Sequence, residues 1–287
     1  MQVWRLPAGR LAPPQESPRA GPTQSPGPFR FGTRPAQPHP TFGLAGAAAV
    51  DYPRGLVNSG LVTLQGRLDS LQNRIATAME RAGRDQLTVR LVAVVKTVPA
   101  ALVAEAVALG VTDLGESRVQ EAEARITALG RRVARWHLIG HLQRNKAGKA
   151  AQLFDRVHSV DSIDVASTLS RHSVGAGFRL PVLVEVNISG EATKHGVAPE
   201  GAAALVEAIA GLPGLALDGL MTVGARVERP EQARRGFEQL RLLRDKLEAQ
   251  AGRRLPELSM GMSGDFEAAI AEGSTMVRVG TALFGPG

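Results

Sequence analysis

Hydrophobic positions along the chain fall into two rhythms. Leu61, Leu64, Leu68, Leu71 and Ile75 recur at spacings of three and four, the stripe of an amphipathic helix that runs to about Ala82 and ends at Gly83. After it, short apolar runs take turns with helical stretches. The runs are Leu91 to Val95, Thr112 to Leu114, Trp136 to Ile139, Val157 to Val160, Pro181 to Ile188, Leu217 to Val223, Leu258 to Met260 and Met276 to Val279. They predict eight strands. Helical patterns fall near 100–109, 117–129, 144–153, 162–174, 199–210, 230–250 and 265–272. Strict alternation implies parallel strands joined by crossovers, and eight such units in about 230 residues suit a single closed (β/α)8 TIM barrel of the α/β class. An open doubly wound sheet is the competitor. The strand count favours the barrel, and the helix at 61–82 is expected to fill the outer-ring place left by the short stretch after Val279.

Residues 1–55 keep neither rhythm. Eleven of the 18 prolines lie there, among Gly, Ser, Gln and Arg. This composition predicts a disordered Pro/Arg-rich extension or a misplaced start codon, ahead of a barrel over 58–287. No continuous apolar segment marks a secretory signal, and the prolines break any amphipathic transit helix.

Composition narrows the function classes. At 44% hydrophobic content the 287 residues can bury a sizeable core, and no apolar run is long enough to cross a bilayer. The lack of cysteine removes disulfides, thiolate metal sites and thiol nucleophiles, and fits a reducing cytoplasm. Of the net charge of +7, +4 belongs to residues 1–55, where six arginines face Glu16 and Asp51. The weak remaining excess, with 4% aromatics, speaks against nucleic acid as a partner. Lysine is scarce, five against 29 arginines, so each one is a candidate.

Lys96 closes the run Leu91-Val92-Ala93-Val94-Val95, at the strand end where barrels place their chemistry. Valines around an ammonium lower its pKa and free an amine for attack on an aldehyde, the property of a Schiff-base lysine. A strand-end lysine reaching into solvent is the plain alternative. Two Gly-rich turns follow the last two strands, Ser259-Met260-Gly261-Met262-Ser263-Gly264-Asp265 and Arg278-Val279-Gly280-Thr281-Ala282-Leu283-Phe284-Gly285. Such loops form a recurrent phosphate site in barrels, here with the Ser263 and Thr281 hydroxyls and the Gly264 and Gly280 amides as donors, across the mouth from Lys96. An amine and a phosphate cup together suit pyridoxal 5'-phosphate. Arg278 then faces the pyridine nitrogen and keeps it unprotonated, which weakens the ring as an electron sink. The alternative for Arg278 is a phosphate contact or a structural ion pair. A Schiff-base aldolase for a phosphorylated sugar shares both handles.

Other residues carry two readings each. His137 and His141 have metal-like spacing but flank a strand end, where i and i+4 do not share a face, so no metal is expected. Glu116 and Glu121 are general-base candidates or a solvated loop and helix face. Asn187 either donates to the cofactor ring or satisfies a neighbouring carbonyl.

Seven segments in order, Val94-Val95-Lys96-Thr97, Gly115-Glu116-Ser117-Arg118-Val119-Gln120-Glu121, Trp136 through Lys146, Val186-Asn187-Ile188-Ser189-Gly190-Glu191, Gly219-Leu220-Met221-Thr222 and the two terminal turns, resemble the pyridoxal phosphate homeostasis proteins. Their barrel is similar to the N-terminal domain of alanine racemase. The resemblance covers roughly 58–285 and implies that Lys96 holds the cofactor as an internal aldimine, with Ser263, Arg278, Gly280 and Thr281 around it. Ser117, Gly264 and His195 depart from the family's usual Asn, Ala or Asp, and small polar residue. The resemblance also implies a role in intracellular vitamin B6 homeostasis, with PLP-requiring apoenzymes as partners and no membrane. A racemase of this class takes a second acid/base group, a tyrosine, from another domain, whereas the one tyrosine here is Tyr52. Efficient racemisation is therefore not expected, and a weak racemase or lyase acting on amino acids is the alternative to a cofactor carrier.

Overall fold

The computed structural model describes residues 32–33, 63–85, 89–224 and 230–286. The chain divides after Arg30, and the first unit lies outside the described residues, as does most of the expected extension. Within it only Gly32–Thr33 is described, parallel to Phe178 and Arg179.

Eight parallel strands, β1 (Arg90–Val94), β2 (Asp113–Glu116), β3 (Arg135–Leu138), β4 (Arg156–Val160), β5 (Phe178–Glu185), β6 (Leu215–Met221), β7 (Glu257–Ser259) and β8 (Met276–Val279), follow each other around a closed ring. The β8–β1 pairing, Arg90↔Met276 through Ala93↔Val279, closes it. Each expected run contributes a strand. β5 and β6 are displaced toward the N-terminus relative to their apolar runs, because Val186 leaves the ladder for a single bridge to Val197 and Thr222 turns its hydroxyl to the Val186 carbonyl.

The outer layer holds α1 (Leu64–Arg81), α2 (Ala100–Ala108), α3 (Val119–Leu129), α4 (Ala147–Leu153), α5 (Ile163–Gly175), α6 (Ala202–Ala210), α7 (Pro230–Ala251), α8 (Phe266–Ala271) and α9 (Thr281–Phe284). Thr63 starts α1, its hydroxyl accepting the Gly66 N–H at 3.1 Å. The stripe Leu64, Leu68, Leu71 and Ile75 is buried, while Leu61 lies outside the described residues. α1 packs on α8 and α9, so it fills the ring where expected. Arg67 Nε donates to the Leu283 carbonyl at 2.7 Å, and Arg74 pairs with Glu267 across the same seam. The four-residue α9 has no forerunner in the sequence pattern, being too short to show a period. No helix among the described residues is long and apolar enough to cross a membrane.

Apolar side chains fill the space between strands and helices, with Trp136, Phe154, Phe237 and Phe266 fully enclosed. Inside the ring a small apolar layer, Val92, Leu183, Met221 and Met276, lies alongside buried polar groups. Charged residues close the N-terminal pole: Arg156 meets Asp218 at 3.0 Å and Glu257 at 3.1 Å, Arg90 meets Glu257 at 3.2 Å, and Arg135 meets Asp113 at 2.6 Å.

Candidate functional site

Neighbouring strands β6, β7, β8 and β1 end on one arc of the opposite, C-terminal pole. Arg278 on β8 points into the barrel and is 3% exposed. Its Nη1 donates to the Ser259 carbonyl at 2.8 Å and hydroxyl at 2.7 Å, and its Nη2 to the Thr222 carbonyl at 2.8 Å. Burial lowers the guanidinium to about 10 against the opposing pull of Glu185 and Asp265, so it stays a cation at neutral pH.

Two turns flank this cation. A Cβ at Gly280 would lie 3.4 Å from both the Cβ and the carbonyl oxygen of Val94, so the turn after β8 rests on the end of β1. The turn after β7 joins it where the Ser263 hydroxyl accepts the Ala282 N–H at 3.3 Å. Asp265 shapes that turn by accepting the Met262 N–H at 2.6 Å. Among the described residues the backbone N–H groups of Ser263, Gly264, Gly280 and Thr281 donate to no protein group. Four free N–H donors and the exposed Thr281 hydroxyl near a buried guanidinium are an arrangement able to receive an anion.

Lys96 lies two residues beyond Val94, on which the Gly280 turn rests, since in a closed ring the first strand is the neighbour of the last. The expected placement across the mouth is corrected accordingly. Lys96 is also exposed, so the valines do not enclose its ammonium, because it follows the last residue of β1 by two positions. Thr97 adopts φ 61°, the one non-glycine residue with positive φ among those described. A β-branched residue there stores about 1–3 kcal/mol of strain. The tight turn closed by Val98 N–H to the Val95 carbonyl at 3.1 Å holds it in place. Thr97→Gly is expected to raise stability by about 1 kcal/mol, to be read by chemical denaturation.

The remaining candidates sit elsewhere. Asn187 Nδ2 donates to the carbonyls of Glu191 at 2.9 Å and Lys194 at 3.4 Å, and its Oδ1 accepts from Ser189 and Gly190. Of its two expected roles, this is satisfaction of neighbouring carbonyls, and it orders the loop after β5. Glu116 is not solvated, as its expected loop reading required, but fully buried and paired with Arg125 Nε at 2.6 Å. Glu121 pairs with Arg118 on the surface of α3. His137 is buried inside the barrel, bonded to Asp113 at 2.9 Å and His158 at 2.8 Å. His141 stands apart from it at the rim.

His141, Asp161 and His195 gather within ligand reach of one another there, with His141 Nδ1 3.2 Å from Asp161. The two imidazoles stack with centroids 3.8 Å apart and planes within 9°. The group as arranged is a stack.

Glu185, which the sequence reading did not pick out, ends β5 inside the same pole. It is 5% exposed, and its Oε2 has no hydrogen-bond partner. Burial, and then the Asp161 charge, push its carboxyl up to about 7 against the pull of Arg278. Below its ordinary value of 4.5 both folded and unfolded chains keep this proton. Between there and about 7 only the folded chain does, so stability falls as pH rises. Glu185→Gln keeps the shape without the charge. The variant should gain on the order of 3 kcal/mol over the parent at pH 8 and nothing at pH 4.5, as read by urea unfolding at both pH values.

The family model described as alanine racemase, N-terminal domain, matches residues 67–286. The pyridoxal phosphate homeostasis protein of Pseudomonas aeruginosa is 45% identical over 223 residues, 78% of this chain and 95% of that one. Its namesake in Aquifex aeolicus is 42% identical, covering 76% of this chain and 96% of the relative. Among solved structures, PipY of Synechococcus elongatus with PLP bound superposes with a TM-score of 0.69 at 36% identity, over 78% of this chain and all of that one.

Proposed function

The chain belongs to the alanine racemase N-terminal domain family and, within it, to the pyridoxal phosphate homeostasis proteins, and from that premise we propose that it binds pyridoxal 5'-phosphate through a Schiff base to Lys96 and takes part in vitamin B6 homeostasis in the cytoplasm. The observation that carries this reading is the arc of strand ends that bears four unclaimed backbone N–H groups and a buried guanidinium, with the exposed Lys96 just beyond the end of the neighbouring β1. These donors match the two handles of a phosphorylated aldehyde, and the PLP bound by PipY supports the match.

Each residue has a task. Ser263, Gly264, Gly280 and Thr281 bind the phosphate through N–H and hydroxyl donors. Open space around the Cβ position of Gly264 and the close approach of Gly280 to Val94 leave the backbone accessible to it. Lys96 Nζ would hold the aldehyde carbon as an imine, the carbonyl oxygen leaving as water. Arg278 is fixed by three acceptors and cannot take up a proton, so it holds the pyridine nitrogen unprotonated. Bound there, the cofactor supplies an electrophilic carbon and a ring of reduced electron-withdrawing power.

A carrier, not an enzyme, is the role this favours. Lys96, Gly264 and Thr281 are exposed, which leaves the attachment point open to water and to a receiving PLP-requiring apoenzyme. The loaded protein should pass its cofactor to such an apoenzyme, restoring that enzyme's activity, and show negligible turnover on a panel of amino acids. Sustained racemisation or lyase turnover with no transfer would establish the enzyme alternative.

A further inference from the structure

The barrel interior holds a continuous row of hydrogen bonds that binding alone does not require. Arg278 Nη1 lies 2.7 Å from Ser259 Oγ, and Ser259 Oγ lies 2.9 Å from His158 Nδ1. His158 Nε2 lies 2.8 Å from His137 Nδ1, and His137 Nε2 lies 2.9 Å from Asp113 Oδ1. All five residues are at most 3% exposed. The row runs from the C-terminal pole to the first residue of β2, where Asp113 also accepts from Arg135 at 2.6 Å and Thr112 at 2.8 Å.

Its ends are chemically fixed. A guanidinium only donates, and an ionised carboxylate only accepts. Burial works to raise Asp113, but the hydrogen bonds from His137 and Arg135 and the Arg135 charge act against it and keep the group ionised. Burial lowers both imidazoles, so each is neutral, with one donor and one acceptor. Four bonds between a pure donor and a pure acceptor then have one order. Arg278 donates to Ser259, Ser259 to His158 Nδ1, His158 Nε2–H to His137 Nδ1, and His137 Nε2–H to Asp113.

We propose that Asp113, His137, His158 and Ser259 form a one-directional strut whose task is to position Arg278 against the bound cofactor. The three groups below Ser259 are positioning residues. They keep the Ser259 lone pair turned to the guanidinium and the guanidinium turned to the ring. This rests on the reading of Arg278 given above, and it adds that cofactor electronics are set from within the barrel, on the side opposite the solvent-exposed amine.

Two measurements on the full chain test it. Long-range nitrogen–proton NMR of the cofactor-free protein should show His137 and His158 both neutral at neutral pH and both protonated at Nε2. A proton on Nδ1 of either residue would overturn the strut. This result stands even if the chain takes up no pyridoxal 5'-phosphate, an outcome that would defeat the functional reading alone. On the loaded protein, Ser259→Ala and His158→Leu should each shift the visible absorption band and weaken cofactor binding about tenfold, as loss of partners that orient a ligating group commonly does. The double variant should be no weaker than the weaker single one, because both act through Arg278. Losses that multiply, or binding and spectrum unchanged in Ser259→Ala, would refute the coupling.

Discussion

Lys96→Ala is expected to abolish covalent attachment of pyridoxal 5'-phosphate while leaving the barrel folded. The exposed side chain fills no cavity, so its removal should alter stability by no more than about 0.5 kcal/mol. Borohydride reduction of the loaded parent, followed by peptide mapping, should place the pyridoxyl label on the Lys96 peptide and none on the variant. Two of the other amines are engaged: Lys149 Nζ pairs with Glu123 at 2.5 Å, and Lys194 Nζ is held by Glu191 at 2.7 Å and the Gly224 carbonyl at 3.0 Å. A label on Lys146 or Lys149 would move the attachment site. The variant should still bind the vitamer reversibly, since the N–H receptor and Arg278 remain, and it should lose the yellow band shift on reduction.

The exposure of Lys96 changes the chemical account of its reactivity. The apolar run before it invites an explanation by desolvation, yet the residue lies past the last rung of β1, where the chain turns through the strained Thr97. On the function proposed above, position, not burial, makes Lys96 the attachment point. Exposure keeps both attack and release within reach of solvent, as a carrier needs.

What sequence could reveal followed from periodicity. Apolar runs of three to eight residues in strict alternation with helical patterns yield all eight strands, since a parallel strand is covered on both faces and reads as a continuous apolar block. Boundaries moved where side chains took over from ladder bonds, as Thr222 does at the end of β6. The terminal turns were legible as glycines after the last two strands. That β8 closes on β1 makes them neighbours of Lys96, which no local pattern contains. Glu116 went unrecognised as a buried group because its partner, Arg125, lies nine positions on along α3. The interior row left a trace nonetheless. His158 in Val157-His158-Ser159-Val160 and Ser259 in Leu258-Ser259-Met260 interrupt apolar blocks, and a polar residue buried on a central strand requires a partner.

Gly219→Ala should be among the most destabilising single substitutions in the chain. The pairing of β5 with β6 runs Val182↔Leu217 and then Leu183↔Gly219, so Asp218 is an extra residue and β6 is bulged at this point. The bulge presses Gly219 against β7. A Cβ there would lie 1.8 Å from the Glu257 carbonyl oxygen and 2.7 Å from its carbon, and these backbone atoms cannot rotate aside. Relief requires β6 and β7 to separate, at a cost of about 3 kcal/mol or more, the upper end for overpacking. For a chain of this size that corresponds to a fall in Tm of about 6–12 °C. The same movement displaces Thr222, whose carbonyl accepts from Arg278 and whose N–H reaches the Ser259 carbonyl at 3.2 Å, so cofactor affinity should fall with stability. Gly175→Ala is the matched control: it closes α5 with no atom within 4 Å of its Cβ position, and should be neutral or slightly stabilising. Equal melting of the two variants would show that the strand yields freely, and the bulge would then have no part in holding Arg278.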